Sequence, residues 1–314
     1  MRIACLFLLL IAHAAVASPR LRVITYNIHF GAGPAAAQVA WGPGYVDRIA
    51  EMLVGQNPDV VGLQEVMAGG AQSGFVNQRR RLAERTGWTI LYKEARHYWG
   101  MSSGIAILTR HPVLEERVVE VMAGGEVAVP GTDRTEYAER RLAQAAKILV
   151  PGFGAMWFVN THFHSGDGEN RRGNFDALEA RLLRYLRGPV VMLGDFNSRT
   201  PKADGEGREM AYGRPRLLTA DGAGFVDALA AVGKTDPRTF LSPVHFRLDW
   251  VFASERHFTV ENAFVTGWEL SDHEAIVATL VARDQAMIAG PATPAAPVLG
   301  PSGTGPALSL LGVR

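Results

Sequence analysis

Asp195 and Asn197 stand two residues apart where the apolar run of "VVMLGDFNSRT" stops. A carboxylate and a carboxamide in that place can be a cap and a turn, since Asp and Asn close turns with their own side chains. They can also be groups that a strand delivers to a reaction. A carboxylate takes a proton from water or holds a cation, and a carboxamide orients what it meets. Other apolar segments end in the same manner. "RVITY" runs to Asn27, "DVVGLQ" to Glu65 and "WFVNT" to His162. "RL" leads to Asp249 before "WVF", and "LS" leads to Asp272 and His273 before "EAIVATL". Desolvating a charge without a partner is costly. One such strand end is ordinary; a series of them implies that the ends converge on a polar pocket.

Each residue alone has a plainer reading. Glu65 fits a solvated strand end, Asn27 a turn, and Asp272 with His273 a surface pair or a cap. Asp249 fits such a reading least, because Leu248 and Trp250 on either side look buried. The clusters Arg79 to Arg81 and Arg171-Arg172 read as solvated helix faces.

The elements that position these residues follow from periodicity. "LRVITYNIHFG" reads as a strand running into a loop, and "NPDVVGLQEV" as a breaker followed by a second strand. "YVDRIAEMLVGQ" places Val46, Ile49, Ala50 and Leu53 on one helical face. "VNQRRRLAERTG" reads as a polar helix ending at Gly87. "GIAILTRHPV" is a strand stopped by Pro112, and "AKILV" and "MWFVNTHF" flank "PGFG" as a hairpin. "RRGNFDALEARLLRYLRG" reads as one helix with Phe175, Leu178, Leu182 and Leu186 on one side and Gly188 as its stop. Strands alternate with helices in places and with strands elsewhere, which indicates a mixed α/β domain with packed sheets.

The 314 residues are 47% hydrophobic and 20% charged, with a formal net charge of +1, so composition argues neither for disorder nor for nucleic-acid binding. "MRIACLFLLLIAHAAVASPR" carries one Arg, an apolar run and a small-residue "AVA" before Ser18, the pattern of a secretory signal over residues 1–17. Export to the periplasm or the medium is the expectation. The lone cysteine, Cys5, lies within that segment, so the mature chain would form no disulfide. A domain is expected over 18–282. From Arg283 to Arg314 the chain is rich in Pro, Ala, Gly and Ser and reads as a flexible tail.

In order along the chain, "TYNIHFG", "LQEV", "GIAILTRHPV", "ERRLAQAAKI", "VNTHFH", "GDFNS", "RLDWVF" and "SDHEAIVA" resemble the endonuclease/exonuclease/phosphatase superfamily. These metal-dependent phosphoesterases include pancreatic-type deoxyribonuclease, abasic-site endonucleases, neutral sphingomyelinases and inositol polyphosphate 5-phosphatases. The resemblance covers residues 21–282. It implies an α/β fold, a four-layer α/β/β/α sandwich of two packed mixed sheets with outer helices. It also implies hydrolysis of a phosphoester by water at a site holding Mg²⁺, with Mn²⁺ as the alternative.

By the same resemblance, Glu65 is the principal metal carboxylate, with Asn27 beside it and Asp272 as a further metal or outer ligand. Asp195 activates or orients water. Asn197 orients that water or holds the phosphate. His273 contacts a phosphate oxygen, with Asp249 fixing its tautomer. His162 contacts phosphate or assists the leaving group, and Arg141 binds substrate. The substrate is a nucleic acid, a phospholipid or a small phosphodiester. No stable protein partner is implied, and a monomer is expected. A secreted endonuclease is the narrower form of this reading. A binding protein that kept the fold without catalysis is the other.

"THFHSGD" also resembles the HxHxDH zinc motif of metallo-β-lactamase-type hydrolases, with Asp167 one residue late. The oxygen-rich strand ends favour Mg²⁺ or Mn²⁺ over zinc. In "ARHYWGMSS", Arg96, His97 and Tyr98 align with no family helper, and "RHYWGM" is a candidate lipid-facing loop.

Overall fold

The computed structural model describes residues 18–34, 44–98, 101–129, 131–202, 207–241 and 246–283. The expected leader, and the expected tail beyond Arg283, lie outside the described residues. No helix among the described residues is long and apolar enough to cross a membrane.

In β1 (Arg20–Asn27), Val23 faces one way and Ile24 and Tyr26 the other, and all are fully buried. A strand covered on both faces must be apolar on both. The strands that follow are β2 (Val60–Met67), β3 (Thr89–Tyr98), β4 (Met101–Thr109), β5 (Val113–Met122), β6 (Gly125–Ala128), β7 (Thr135–Ala138), β8 (Arg141–Val150), β9 (Gly154–His162), β10 (Val190–Asp195), β11 (Phe225–Asp227), β12 (Asp249–Ser254), β13 (Phe258–Val265) and β14 (Ile276–Ala282). The helices are α1 (Gly44–Gln56), α2 (Gln78–Thr86), α3 (Gly168–Arg181), α4 (Arg208–Gly213) and α5 (Ala228–Ala231). One six-stranded sheet runs β13-β14-β1-β2-β4-β3 and the other β11-β12-β10-β9-β8-β5, while β6 and β7 form a separate hairpin. The pairs β1–β2 and β9–β10 are parallel.

The sheets meet face to face. Val23, Val60 and Ile107 of the first pack with Phe158, Val191 and Val251 of the second. On the outer face of the first sheet, α1 lays Val46, Ile49 and Leu53 against Ile24 and Val61. On the outer face of the second, α3 lays Phe175 and Leu178 against Val159 and Met192. The fold is therefore a four-layer α/β/β/α sandwich, and the i, i+3, i+7 stripe of α1 is its buried face. Among the helices read from periodicity, the third departs from its expected bounds. It ends at Arg181, Leu182 leaves helical geometry with φ −131°, and a 3-10 turn follows over Leu183–Tyr185. Unwinding there buries Leu182, Leu183 and Leu186 together against the sheet.

Two bulges shape the site. β2 slips its register on β4 between Leu63 and Val66, and β3 slips on β4 between Glu94 and Arg96. Both slips lie opposite Gly104, where an added Cβ would overlap the carbonyl oxygen of Lys93. A bulge re-aims the side chain next to it. Glu65, at φ +57°, is turned into the site in this way. The carbonyls of Leu63 and Ala106 at the slip are taken by Asn160 Nδ2 from the other sheet, each at 2.9 Å. Gln64 Nε2 returns a bond to Asn160 Oδ1 at 2.7 Å. Asn160→Leu is expected to orphan these groups at about 1–3 kcal/mol each, read as a lowered urea midpoint together with lowered activity through the displaced Glu65.

Candidate active site

β1 and β9–β10 bring their C-terminal ends to the same place from opposite sheets. Asn27 Nδ2 reaches across to Asp195 Oδ2 at 3.0 Å and lies 3.2 Å from Glu65 Oε1. In the ladder of the second sheet, Asp195 lies opposite His162 on one side and Asp249 on the other. The segment before β14 closes the ring, and Ser271 Oγ ties it to the carbonyl of Asn27 at 2.7 Å.

The turns at Asn27 and Asp195 are structural and functional at once. Asn27 Oδ1 accepts the backbone N–H of His29 at 3.0 Å, and Asp195 Oδ1 accepts that of Asn197 at 2.8 Å. Both are side chains closing their own turn, followed by residues at positive φ: His29 and Phe30 in one, Asn197 in the other. The remaining atoms face the site. Asn27 therefore presents its N–H₂ to two carboxylates, and its oxygen is engaged by the turn. Asn197 lies beside Asp195 and donates to the carbonyl of Phe163 at 3.0 Å.

Asp195 Oδ2 is the centre. Besides Asn27, it has His162 Nε2 at 3.4 Å and His273 Nε2 at 3.8 Å. Burial and the neighbouring Asp249 raise the Asp195 carboxyl to about 7, against the pull of His273 and Asn27. His273 Nδ1 donates to Asp249 Oδ2 at 2.8 Å. Burial opposes the charge on that ring, but Asp249 and Asp195 outweigh it and raise the pKa to about 10. Burial, then Arg141 and His273, hold His162 well below the usual histidine value. Its Nε2 thus faces the Asp195 carboxyl group with burial and Arg141 both opposing a charge on the ring.

Thr239 holds the Asp249–His273 pair from behind. Its hydroxyl accepts the N–H groups of Leu248 and Asp249 at 2.9 and 3.2 Å, and its carbonyl accepts that of Glu274 at 2.7 Å. Phe240 packs its ring 4.9 Å from that of His273. Asp249→Asn is expected to bring the alkaline limb of the pH–rate profile down from near pH 10 toward the ordinary histidine range, because the charge that most favours the imidazolium is gone. The sign for stability is the same. His273 contributes most below its unfolded pKa of about 6.5, and that contribution is lost as pH rises through about 10.

These groups open into a cavity of about 840 Å³. Asn27, Glu65, His162, Asp195, Asn197, Asp249, Asp272 and His273 are brought together at or just behind its floor, and Arg141 lines one side. Asp272 Oδ1 lies 3.5 Å from His29 Nδ1. Neighbouring Arg140 instead points outward to Glu120 at 2.7 Å. His164 is separate from His162: it pairs with Glu136 at 2.7 Å, in a group with Asp167. The zinc-like spacing is therefore divided between two places. Arg96, Glu139, Arg199, Phe240 and Phe246 also line the cavity. Periodicity does not reveal them, since Arg96 and Glu139 face inward through a bulge and a strand end in segments that read as polar. Trp99, and the side chain of Tyr98, lie outside the described residues.

The donors suit a divalent cation. Asp195 and Asp249 are paired across the ladder, and Asp249 Oδ1 is buried without a protein partner. Glu65 and Asp272 line the same cavity, and Glu65 Oε1 and Asp195 Oδ2 lie 3.2 and 3.0 Å from one Asn27 nitrogen, so carboxylate oxygens crowd one place. A hard cation takes such oxygens and relieves their mutual repulsion.

The profile of the Endonuclease/Exonuclease/phosphatase family matches residues 24–273. The chain belongs to this family. Members of this family generally hydrolyse phosphoester bonds and use divalent metals, and the chain has the family's metal-dependent phosphoesterase fold. No curated protein matches the chain. Among solved structures it is similar to an endonuclease/exonuclease/phosphatase from Beutenbergia cavernae, at 24% identity over 84% of this chain and 72% of that one, with a TM-score of 0.63. It is similar to D. rerio TDP2 complexed with single strand DNA product, at 19% identity over 83% and 98%, TM-score 0.60. The human Nocturnin catalytic domain with bound sulfate anion aligns at 18% identity over 84% and 95%, TM-score 0.60. At these identities the neighbours show the shared fold.

Proposed function

We propose that the protein is an exported, Mg²⁺-dependent hydrolase of phosphodiesters. The observation that carries this reading is the convergence on Asp195 Oδ2. Asn27 from one sheet and His162 from the other meet there with His273 from the loop before β14, beside the carboxylate of Glu65. The oxygen-rich donor set supports Mg²⁺, with Mn²⁺ able to replace it. The leader-like residues 1–17 support export. The cavity supports a diester: it is far larger than a phosphate, and Phe30, Phe240, Phe246 and Leu248 are among the residues that line it. A substituent on each ester oxygen then has an apolar surface to lie against. The sulfate in Nocturnin and the single-strand DNA product in TDP2 support a tetrahedral anion on this fold.

Glu65, with Asp272 lining the same cavity, would hold the metal, which would supply charge for the phosphate oxygens and lower the pKa of water. Asp195 Oδ2 accepts the proton of the attacking water, and its turn through Asn197 keeps that oxygen aimed inward. Water oxygen bonds to phosphorus as the P–O bond to the ester oxygen breaks on the opposite side; that oxygen departs as an anion and takes its proton from solvent, and the proton on Asp195 passes to solvent. His273, charged through Asp249, donates to a non-bridging oxygen and stabilises the charge gathering there.

The test compares bis-p-nitrophenyl phosphate with p-nitrophenyl phosphate at equal Mg²⁺. Turnover of the diester with little of the monoester is expected; the reverse preference contradicts the diester reading. Glu65→Gln is expected to raise the Mg²⁺ needed for half-maximal rate by more than about tenfold to a hundredfold, the cost of losing merely an outer partner of a metal ligand.

A further inference from the structure

Arg141 opens β8 with both outer nitrogens of its guanidinium engaged by the protein, while its Nε is buried without a partner. Nη2 lies 3.0 Å from Glu139 Oε2, and Nη1 lies 3.0 Å from His162 Nδ1. Glu139 is paired through Oε1 with Arg96, whose Nε donates to Ser103 Oγ at 3.0 Å. A guanidinium grips phosphate with its outer nitrogens open as a fork. Here one of them faces a ring nitrogen and the other a carboxylate.

The direction of the Arg141–His162 bond is fixed by chemistry. Guanidinium nitrogens donate and do not accept. His162 Nδ1 is therefore the bare nitrogen, and the ring proton sits on Nε2. That atom faces the reaction centre, 3.4 Å from Asp195 Oδ2 and 4.0 Å from Glu65 Oε1. The two site histidines thus have opposite backing. A carboxylate stands behind His273 and a cation behind His162. The first arrangement favours an imidazolium and the second an uncharged ring.

We propose that Arg141 is a positioning residue: with Glu139 it fixes His162 in the tautomer whose Nε2–H is offered, uncharged, to an oxygen of the substrate phosphate. This replaces the expectation that Arg141 itself binds substrate. The proposal deepens the phosphodiesterase reading and rests on it for the identity of that oxygen; the tautomer does not depend on it. No proton leaves His162 in this role. It stabilises charge as a donor and leaves proton transfer to other groups.

The test is a long-range ¹H–¹⁵N correlation spectrum of ¹⁵N-histidine-labelled, metal-free protein, with His162→Gln used to assign the His162 signals. A bare Nδ1 and a protonated Nε2 are expected. A proton on Nδ1 overturns the proposal. In Arg141→Lys, whose ammonium still donates, the tautomer is expected to persist. In Arg141→Met it is expected to become mixed, and an unchanged tautomer there overturns the role of Arg141. Should Arg141→Met fail to fold, the wild-type and Arg141→Lys spectra decide.

Kinetics on bis-p-nitrophenyl phosphate separate positioning from binding. Arg141→Met is expected to lower kcat by about a hundredfold with KM nearly unchanged, and Arg141→Lys to recover much of it. A raised KM at unchanged kcat marks a substrate ligand and overturns the proposal. If the protein hydrolyses no phosphodiester, the function reading fails, and the spectrum still decides the tautomer.

Discussion

Asp195→Asn is expected to lower kcat on a phosphodiester by about 10² to 10⁴, the weight of a positioned proton acceptor, while leaving the fold as stable as before or more so. The two halves come from one cause. Asp195 Oδ2 is where three side chains converge, and an amide nitrogen or oxygen in its place takes no proton from water. Yet the same carboxylate strains the fold. Burial and Asp249 raise it from 3.8 to about 7, so the folded chain prefers its neutral form. For a carboxyl raised in this direction, stability is lost as pH climbs from 3.8 through about 7. The neutral isostere removes that loss. Metal-free Asp195→Asn should therefore melt no lower than the wild type above pH 7 and gain most over it there, a trade between activity and stability at one residue. A loss of activity below tenfold, or a lower melting temperature at that pH, contradicts the role given to Asp195.

Arg247→Met is expected to cost about 3–5 kcal/mol, because it leaves a buried carboxylate without its cation. Arg247 and Asp227 are both essentially excluded from solvent, and the guanidinium meets the carboxylate with Nη1 at 2.8 Å and Nη2 at 2.6 Å. It also lies over the ring of Trp250, 3.7 Å from the centroid. Asp227 Oδ1 caps α5 through the N–H of Leu229 at 3.1 Å, so the pair ties that helix to the start of β12. Two residues on stands Asp249. Loss of the pair should thus reach the site as well as the core. Urea unfolding checks the stability. Adding Asp227→Asn to Arg247→Met should recover much of the loss, because the uncompensated charge goes with it. No recovery in the double variant contradicts the assignment to that charge.

How much of this was legible in the sequence depends on the device that places each residue. Asp195, Asn197, Asn27 and His162 show themselves because polar groups end apolar strands, and strands end where their ladder ends; Glu65 interrupts β2, which runs on to Met67, so a bulge and not the expected strand end turns it inward. Asp249 shows itself by its buried neighbours. The stripe of α1 follows from period, and the β8–β9 hairpin from the turn residues "PGFG" between two apolar runs. β5 does not: "VLEERVVEVM" lies at the sheet edge, and its half-exposed face carries charges that mask the alternation. Arg96 and Glu139 escape for another reason. Their direction is set by the β3 bulge opposite Gly104 and by the end of β7, and a bulge leaves little trace in period. The third helix reads too long because its leucines keep helical spacing after the backbone has left the helix at Leu182. The backing of each histidine, carboxylate or guanidinium, is a contact between distant strands, and no local pattern contains it.

The central claim is that the floor of this cavity hydrolyses phosphoesters with a divalent cation. It is tested most directly by the rate of bis-p-nitrophenyl phosphate hydrolysis in one preparation, first stripped with EDTA and then restored with Mg²⁺, with His273→Ala run in parallel. The predicted result is a rate abolished by EDTA, regained with Mg²⁺, and lower in the variant by about 10² to 10⁴. A rate indifferent to EDTA, or equal in His273→Ala, would contradict the account.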